Sequence, residues 1–305
     1  MKLLVTGALG FIGSSLTESL LHRGDHVQAI SRSNNGFLRT NLLQHENLSL
    51  KNIDLGKEEL ISIDGDYDAL INLVSQQPNR EHVDWKDYYS SNVEAAKSIC
   101  LFAKDRGIKQ VISISTTSVY PISKDERLTE VSRLQPSNIY GYSKALGEDV
   151  IKRFSISSGS DIQFTIIRFP SVFGKNHLGG IVHTIFNLAQ QSSDIEIYDN
   201  GDKYRNLLYI SDAVNIIRES IDKKKDLNNF EVFLAGSHDS IKMIDIVKKI
   251  VKRTNSTSKI IPVSKSSNNG NIFLDLKKLN TVLGYYTMTI EEGIDLYVKA
   301  MTDEI

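Results

Sequence analysis

Tyr140 and Lys144 stand four residues apart in the stretch PSNIYGYSKALGE. One helical turn separates them, so a phenol and an ammonium share a helix face. A tyrosine with a pKa of ~10 is a poor acid–base group at neutral pH unless a nearby cation favours its phenolate. Lys144 is expected to supply that cation, and its ammonium can also hold the hydroxyls of a ribose. The hydroxyl-rich stretch SISTTSVY contributes Ser115 to Ser118, and Thr116 among them can fix a substrate carbonyl while Tyr140 protonates it. A third constellation, Gly7, Gly10 and Gly13 in LLVTGALGFIGSSL, suits a pyrophosphate. Gly7 permits a tight turn, Gly10 lets backbone approach the phosphates at a helix N-terminus, and Gly13 lets helix and strand pack closely. Together these groups describe hydride transfer between a nucleotide cofactor and a carbonyl or alcohol.

Spacing by itself is weak ground, because the chain holds a second pair of the same kind, Tyr120 and Lys124 in YPISK. Pro121 follows that tyrosine directly and no helical period surrounds it, so its members need not share a face. Around Tyr140 the pattern is helical. Ser137 or Asn138 can serve as N-cap, and Ile139, Tyr142, Leu146 and Val150 recur at helical spacing and are expected to face the interior.

The elements that must position these groups alternate strand and helix from the first residues. KLLVTG precedes a helix ending near Gly24; HVQAIS, LSLKNID, DALINLVS, VISIST and QFTIIRF follow as short apolar or β-branched runs, with a long helix over about 84–105 before VISIST. Continuously apolar strands are covered on both faces, and strand–helix alternation means a parallel sheet. The fold class is α/β, a doubly wound parallel Rossmann sheet with a smaller C-terminal α/β substrate domain. The expected boundaries are 1–170 for the dinucleotide-binding domain, with parts of 205–236 returning to it, and 171–204 plus 237–305 for the substrate domain. SKSSNNGN at 264–271 reads as a loop. On this topology Ser115 to Ser118 lie at the carboxyl edge of the sheet, where ligands bind in open α/β folds.

Thirty-six basic against 37 acidic residues leave a formal net charge of −1, which offers no general attraction to nucleic acid or anionic membrane. No apolar run approaches the ~18 residues of a membrane span, and the start of the chain enters a strand pattern at once. A cytoplasmic protein is expected. The single cysteine, Cys100, falls on the apolar side of a helix pattern and reads as structural, and the seven histidines show no metal-ligand spacing, so no metal site is expected. Cofactor choice is read at the end of the second strand. There QAISRSN carries no acid, and Ser31 and Arg32 suit a 2′-phosphate, which favours NADP(H) with NAD(H) as the alternative. Asp54, in NIDL, either accepts from an adenine amino group or serves as a turn or capping aspartate.

Taken in order, TGxxGxxG, the Ser/Thr-rich strand end before Val119 and Tyr120, YxxxK within YGYSK, IIRFPSVFG and RNLLYISDA resemble the extended short-chain dehydrogenase/reductase family, the epimerase/dehydratase-type enzymes of nucleotide sugars. LDLKKLNTVLGYYTMTIEEGI is similar to that family's C-terminal segment. The resemblance implies that Gly7, Gly10, Phe11, Ile12, Gly13, Ser31, Arg32, Asp54, Leu55, Leu73, Val74, Ser75, Lys144, Pro170 and Val172 line the dinucleotide and that Thr116, Tyr140 and Lys144 are catalytic. It further implies that Gln76, Thr117, Ser171 and Arg205 meet the substrate, a sugar nucleotide, with Arg205 on its phosphates. An ion pair of Arg205 with Asp202 or Asp212 is the structural alternative. A homodimer through the long helix and the Tyr140 helix is also implied, with an apolar outer stripe in YYSSNVEAAKSICLFA.

Three departures bear on function. Thr117 and Ser118 stand where the family's 4,6-dehydratases carry an Asp–Glu pair, which argues against loss of water. NLVSQQ places Ser75, Gln76 and Gln77 where a histidine is more usual, and NNGNIF lacks a second phosphate-binding arginine. Asn92 either orders a water or serves the long helix, and the structural role is preferred. The leading expectation is NADPH-dependent reduction of a 4-keto sugar nucleotide. A 4-epimerase, which must retain its nucleotide tightly, is the alternative; reduction of a small non-sugar carbonyl compound and a non-catalytic dinucleotide-binding protein are the others. The Thr116, Tyr140 and Lys144 set speaks against the last.

Overall fold

The computed structural model of the 305-residue chain describes all residues other than 34–35, 38–41, 56–59, 79–83, 123–125, 158, 160, 266–269 and 304–305, and the side chain of Ile61. Seven strands form its main sheet: β1 (Lys2–Thr6), β2 (His26–Ser31), β3 (Leu48–Asn52), β4 (Ala69–Asn72), β5 (Gln110–Thr116), β6 (Gln163–Phe169) and β7 (Phe230–Leu234). Their spatial order is β7-β6-β5-β4-β1-β2-β3, and the registers β1–β2, β1–β4, β2–β3 and β4–β5 are all parallel. The winding reverses between β1 and β4, which is the point where such sheets open a crevice for a nucleotide. Full burial of β4 and β6 and near-full burial of β1 fit the apolar runs within them, ALI, II and LLV, although buried polar residues such as Asn72 and Arg168 interrupt the pattern. Strand β3, at the edge, exposes most of its residues and alternates accordingly.

Three helices matter for the site: α1 (Phe11–His22), α2 (85–105) and α3 (Ile139–Ser157). Helix α2 is composite, with α-helical ends Trp85–Tyr89 and Ala95–Asp105 and a π-helical turn over Ser90–Glu94. Its Ala95, Ala96, Ile99, Cys100, Phe102 and Ala103 join the core beside Leu70, Val111 and Phe164. Each large side chain there contributes roughly 1.5–3 kcal/mol by leaving water. Cys100 is fully buried, and burial pushes its thiol up to about 12, so it packs as a small apolar group.

Helix α3 corrects one expectation. Its inward face is Tyr140, Gly141, Ser143, Lys144, Gly147, Glu148 and Ile151, whereas Ile139 and Tyr142 are 51% and 56% exposed. Leu146 and Val150 are half-buried, so the apolar stripe starts exposed and is only partly covered. Glycine is required at two points of the inner face, where the helix comes closest to its neighbours: a Cβ on Gly141 would lie 2.1 Å from the Ser118 carbonyl oxygen, and one on Gly147 2.4 Å from that of Asn92. Asn138 is the cap, its Oδ1 accepting from the Gly141 N–H at 2.8 Å.

The chain divides into two compact units. One comprises Met1–Pro121, Arg133–Arg168 and Val214–Phe233; the other comprises Ile122–Ser132, Phe169–Ala213 and Leu234–Ile305. Compared with the boundaries expected from sequence, Ile122–Ser132 moves to the second unit and the returning segment shrinks to Val214–Phe233. The reason for the first change is a parallel pairing of Arg127–Leu128 with Phe273–Leu274, a contact between segments far apart in sequence. Within the second unit, strand Ser171–Phe173 pairs with Leu207–Tyr209, and helices Gly180–Gln190, Met243–Arg253 and Ile290–Thr302 surround a Phe173, Phe186, Tyr209 and Tyr297 cluster. Among the described residues no helix is long and apolar enough to cross a membrane.

Candidate active site

The turn after β1 is built as the glycine spacing predicts. Gly7 has φ +69°, and a Cβ there would sit 2.9 Å from the backbone of Leu73; a Cβ on Gly13 would lie 2.1 Å from the Gly7 carbonyl oxygen. Only bare backbone fits, and it brings the first turn of α1 against the carboxyl end of β4. Gly10 is the N-cap, and no side chain caps this helix start, so its N–H groups and positive dipole end suit a phosphate. Around this turn Leu73 N–H donates to the Thr6 carbonyl at 3.0 Å, Val74 N–H to Asn72 Oδ1 at 3.1 Å, and Ile53 N–H to the Ser31 carbonyl at 2.9 Å. Gly7, Gly10, Phe11, Ile12, Gly13, Arg32, Asp54, Leu55, Leu73, Val74 and Ser75 thus follow the carboxyl ends of β1 to β4, and Ser31 ends β2. This backbone cradle is the shape and polarity that a dinucleotide requires.

At the end of β5 the Thr116 hydroxyl accepts from the Ser118 N–H at 3.1 Å and caps the short 3₁₀ turn Thr117–Val119. Tyr140 reaches it from α3. Burial raises the pKa of the phenol, while hydrogen bonding with Ser75, Thr116 and Gln77 pulls it down. Ser75 Oγ is buried beside the phenol. The ring of Tyr88, on α2, packs against that of Tyr140 at 6.4 Å between centroids.

Lys144 is buried and its Nζ donates to the Ile114 carbonyl at 2.7 Å. Burial lowers its pKa to about 8, with the Glu148 carboxylate opposing. The expected arrangement, an ammonium whose main effect is on the phenol, needs amendment on this point. Desolvation dominates the acidity of both groups, and the lysine's direct partner is a backbone carbonyl. Behind Lys144 lies a small polar cavity of about 10 Å³, lined among others by Asn72, Asn92, Ser113, Ser115 and Glu148, which is about the room one water needs.

Sequence reasoning undervalued several residues here. Asn92 sits in the π-helical turn of α2; its Oδ1 accepts from the Gln76 N–H at 3.0 Å and its Nδ2 donates to Ser143 Oγ at 2.8 Å. It ties the Ser75–Gln77 loop to the helix that carries Tyr140. Gln76, expected at the substrate, is held through this backbone contact, and its neighbours Ser75 and Gln77 are the ones whose side chains reach the phenol. Tyr120, dismissed as part of a chance pair, is buried and its hydroxyl accepts from Arg168 Nη1 at 2.7 Å; Lys124 lies outside the described residues. No motif of fixed spacing would have exposed Asn92, Glu148 or Arg168, although a lone Glu and Arg inside apolar patterns were visible.

Pro170, Ser171, Val172 and Arg205 belong to the second unit. Ser171 and Val172 pair with Leu207 and Leu208, just beyond Arg205. Arg205 Nη1 donates to the carbonyls of Tyr204 and Gly270 at 3.0 and 2.7 Å, and burial lowers its pKa. The acidic partners considered for it are engaged elsewhere: Asp202 with Lys242 at 2.9 Å, Asp212 with the Tyr285 hydroxyl at 2.7 Å.

A glycine cradle at the reversal of a doubly wound sheet, with a hydroxyl, a phenol and a buried amine at the end of β5, defines a dinucleotide-dependent α/β enzyme. The sequence matches the NAD dependent epimerase/dehydratase family over residues 3–236. The chain belongs to that family, which is of the extended short-chain dehydrogenase/reductase type. Similar proteins include the UDP-N-acetyl-alpha-D-glucosaminuronate decarboxylase of Bacillus cytotoxicus, 26% identical over 86% of this chain and 83% of that one. Two solved structures share the fold. UDP-glucuronic acid 4-epimerase from Bacillus cereus in complex with NAD has a TM-score of 0.86 and 23% identity, with 99% of each chain covered. UDP-N-acetylglucosamine 4-epimerase from Methanobrevibacter ruminantium in complex with UDP-N-acetylmuramic acid has a TM-score of 0.86 and 22% identity, covering 100% of this chain and 99% of that one.

Proposed function

We propose that this protein is an NAD-dependent 4-epimerase of UDP-sugars. The observation that carries the reading is the make-up of the site around Tyr140, where among the described residues the groups that hydrogen bonding sets against the phenol, Ser75, Thr116 and Gln77, are hydroxyls and an amide. The nearby carboxylate, Glu148, is gripped by Arg168 and Ser115 and is not placed to act as a base. Such a site moves one proton at one oxygen and lacks the second acid–base pair that removing water requires. The presence of 4-epimerases of UDP-sugars among proteins of the same fold supports inversion over one-way reduction of a 4-keto sugar. It also supports NAD(H) in place of the NADP(H) expected from Ser31 and Arg32, since NAD accompanies the Bacillus cereus enzyme.

With its pyrophosphate at the glycine cradle, a bound dinucleotide would supply through its nicotinamide the acceptance and return of a hydride. The rest falls to the chain. Tyr140 takes the proton of the sugar 4-hydroxyl as C4 gives up its hydride; once the keto sugar has turned over so that the hydride returns to the opposite face of C4, Tyr140 gives the proton back to the same oxygen, which Thr116 holds. Lys144, cationic below about pH 8, favours the phenolate. Arg205 binds the diphosphate, and Ser171 and Thr117 meet the sugar.

The test is to incubate the full chain with NAD and, separately, UDP-glucose, UDP-N-acetylglucosamine and UDP-glucuronic acid, following products by proton NMR. Appearance of the C4 epimer of one of them is the expected result. Steady NADPH oxidation with a 4-keto nucleotide sugar, and no epimer from any of the three, would overturn the reading in favour of a reductase.

A further inference from the structure

Glu148 and Arg168 form the most deeply buried ion pair among the described residues, with side chains 8% and 5% exposed. Arg168 Nε donates to both carboxylate oxygens at 3.0 and 3.1 Å, and Nη2 donates to Oε2 at 2.6 Å. The same carboxylate accepts from Ser115 Oγ. Arg168 Nη1 donates to the Tyr120 hydroxyl at 2.7 Å, and the guanidinium stacks on that ring at 5.1 Å. A buried pair of this kind is weak evidence for stability, because desolvating two charges offsets most of their attraction. Its placement points elsewhere. Ser115 precedes Thr116 on β5, Tyr120 follows the turn that Thr116 caps, and Glu148 lies one helical turn after Lys144 on α3.

We propose that Glu148, held by Arg168, is a positioning residue of the reaction: it keeps Lys144 cationic and clamps the strand end bearing Thr116 to the helix bearing Tyr140 and Lys144. This rests on the assignment of those three residues as the catalytic set. The groups facing Lys144 are few. From α3 comes Glu148, from β5 the Ile114 carbonyl, Ser113 and Ser115, from β4 Asn72, and from α2 Asn92. Glu148 is the one negative charge among these. Without it the buried amine loses the attraction that offsets desolvation, and the neutral form gains. Arg168, on β6, donates to both oxygens of this carboxylate and fixes its orientation.

The experiment compares parent protein, Glu148→Gln, and the double variant Glu148→Met with Arg168→Met, which replaces the pair by apolar side chains of similar reach and is expected to fold. The full chain is labelled with [ε-¹³C]lysine, the Lys144 resonance is assigned with Lys144→Met, and its pH titration is followed with NAD present. Both variants should lower the Lys144 transition by about one pH unit. The alkaline limit of UDP-sugar turnover should move with it, even in the double variant where the fold is intact. If Glu148→Gln does not fold, the double variant alone decides. A Lys144 transition unmoved in a folded variant overturns the proposal, whatever happens to activity. A parent protein that converts none of the UDP-sugars overturns the functional reading instead, and the titration still judges Glu148.

Discussion

Replacing Lys144 with methionine should change how the stability of this protein depends on pH, in a direction opposite to that of an ordinary salt-bridged lysine. Burial moves the amine from 10.5 in the free side chain to about 8 in the folded protein. Between those values the unfolded chain binds a proton that the native chain does not, so stability rises with pH across that window. Below about 8 both states carry the charge and the fold bears its full cost. At about 1.4 kcal/mol per pH unit, that cost is about 3 kcal/mol, relieved progressively as pH climbs towards 10.5. Lys144→Met has no proton to bind and no charge to bury, although it forfeits the hydrogen bond to the Ile114 carbonyl, worth about 1 kcal/mol. The variant should therefore be the more stable protein near pH 7, by about 2 kcal/mol, and lose that advantage by about pH 10. Urea unfolding of both proteins at matched pH values measures the difference directly and cancels the titration of every other group. A gap that stays constant from pH 7 to pH 10 would refute the reasoning, since it would mean that Lys144 is not a buried cation with a depressed pKa. A destabilising charge retained at a site is what selection for activity over stability leaves behind.

Tyr140→Phe should spare folding and NADH binding yet reduce epimerisation by about 10² or more, as measured by NMR of the product; turnover equal to the parent would remove Tyr140 from the proton transfer. Gly13→Ala forces a Cβ to within 2.1 Å of the Gly7 carbonyl oxygen, so NADH fluorescence titration should show a loss of affinity of tenfold or more, in step with a lower melting temperature. Arg32→Ala should leave NADH affinity unchanged in the same titration, whereas a matching loss for NADH would place the guanidinium on the cofactor's common part. The exposed Ile139 and Tyr142 of α3 and the exposed Trp85, Tyr89 and Leu101 of α2 are expected to meet in a homodimer. Light scattering should give twice 34.2 kDa, and Tyr142→Asp should return the monomer.

Much of the nucleotide cradle was legible because it is local. Gly7, Gly10 and Gly13 act within one strand–turn–helix, and the steric demand on each is met by residues a few positions away or by the adjoining strand. Tyr140 and Lys144 were legible for the same reason, since a shared helix face follows from their spacing alone. The orientation of α3 was not. Its period predicted Ile139 and Tyr142 facing inward, but the close approach of Ser118 and Asn92 admits only glycine at 141 and 147 and leaves Ile139 and Tyr142 exposed. The assignment of Ile122–Ser132 failed on similar grounds, because a two-residue strand is recruited by a partner about 145 positions away.

The amino-acid sequence by itself determined the alternation of strand and helix, the position of the glycine turn and the shared helix face of Tyr140 and Lys144. Each of these depends on period, spacing or the absence of a side chain, which are properties of short segments. Only the tertiary structure decided the electrostatics of the reacting groups. Lys144 acquires its lowered pKa from burial beneath a carbonyl of β5, and Glu148 acquires its role from Arg168 on another strand and Ser115 beside Thr116. Desolvation and charge pairing depend on what surrounds a group in three dimensions, and no spacing along the chain records that.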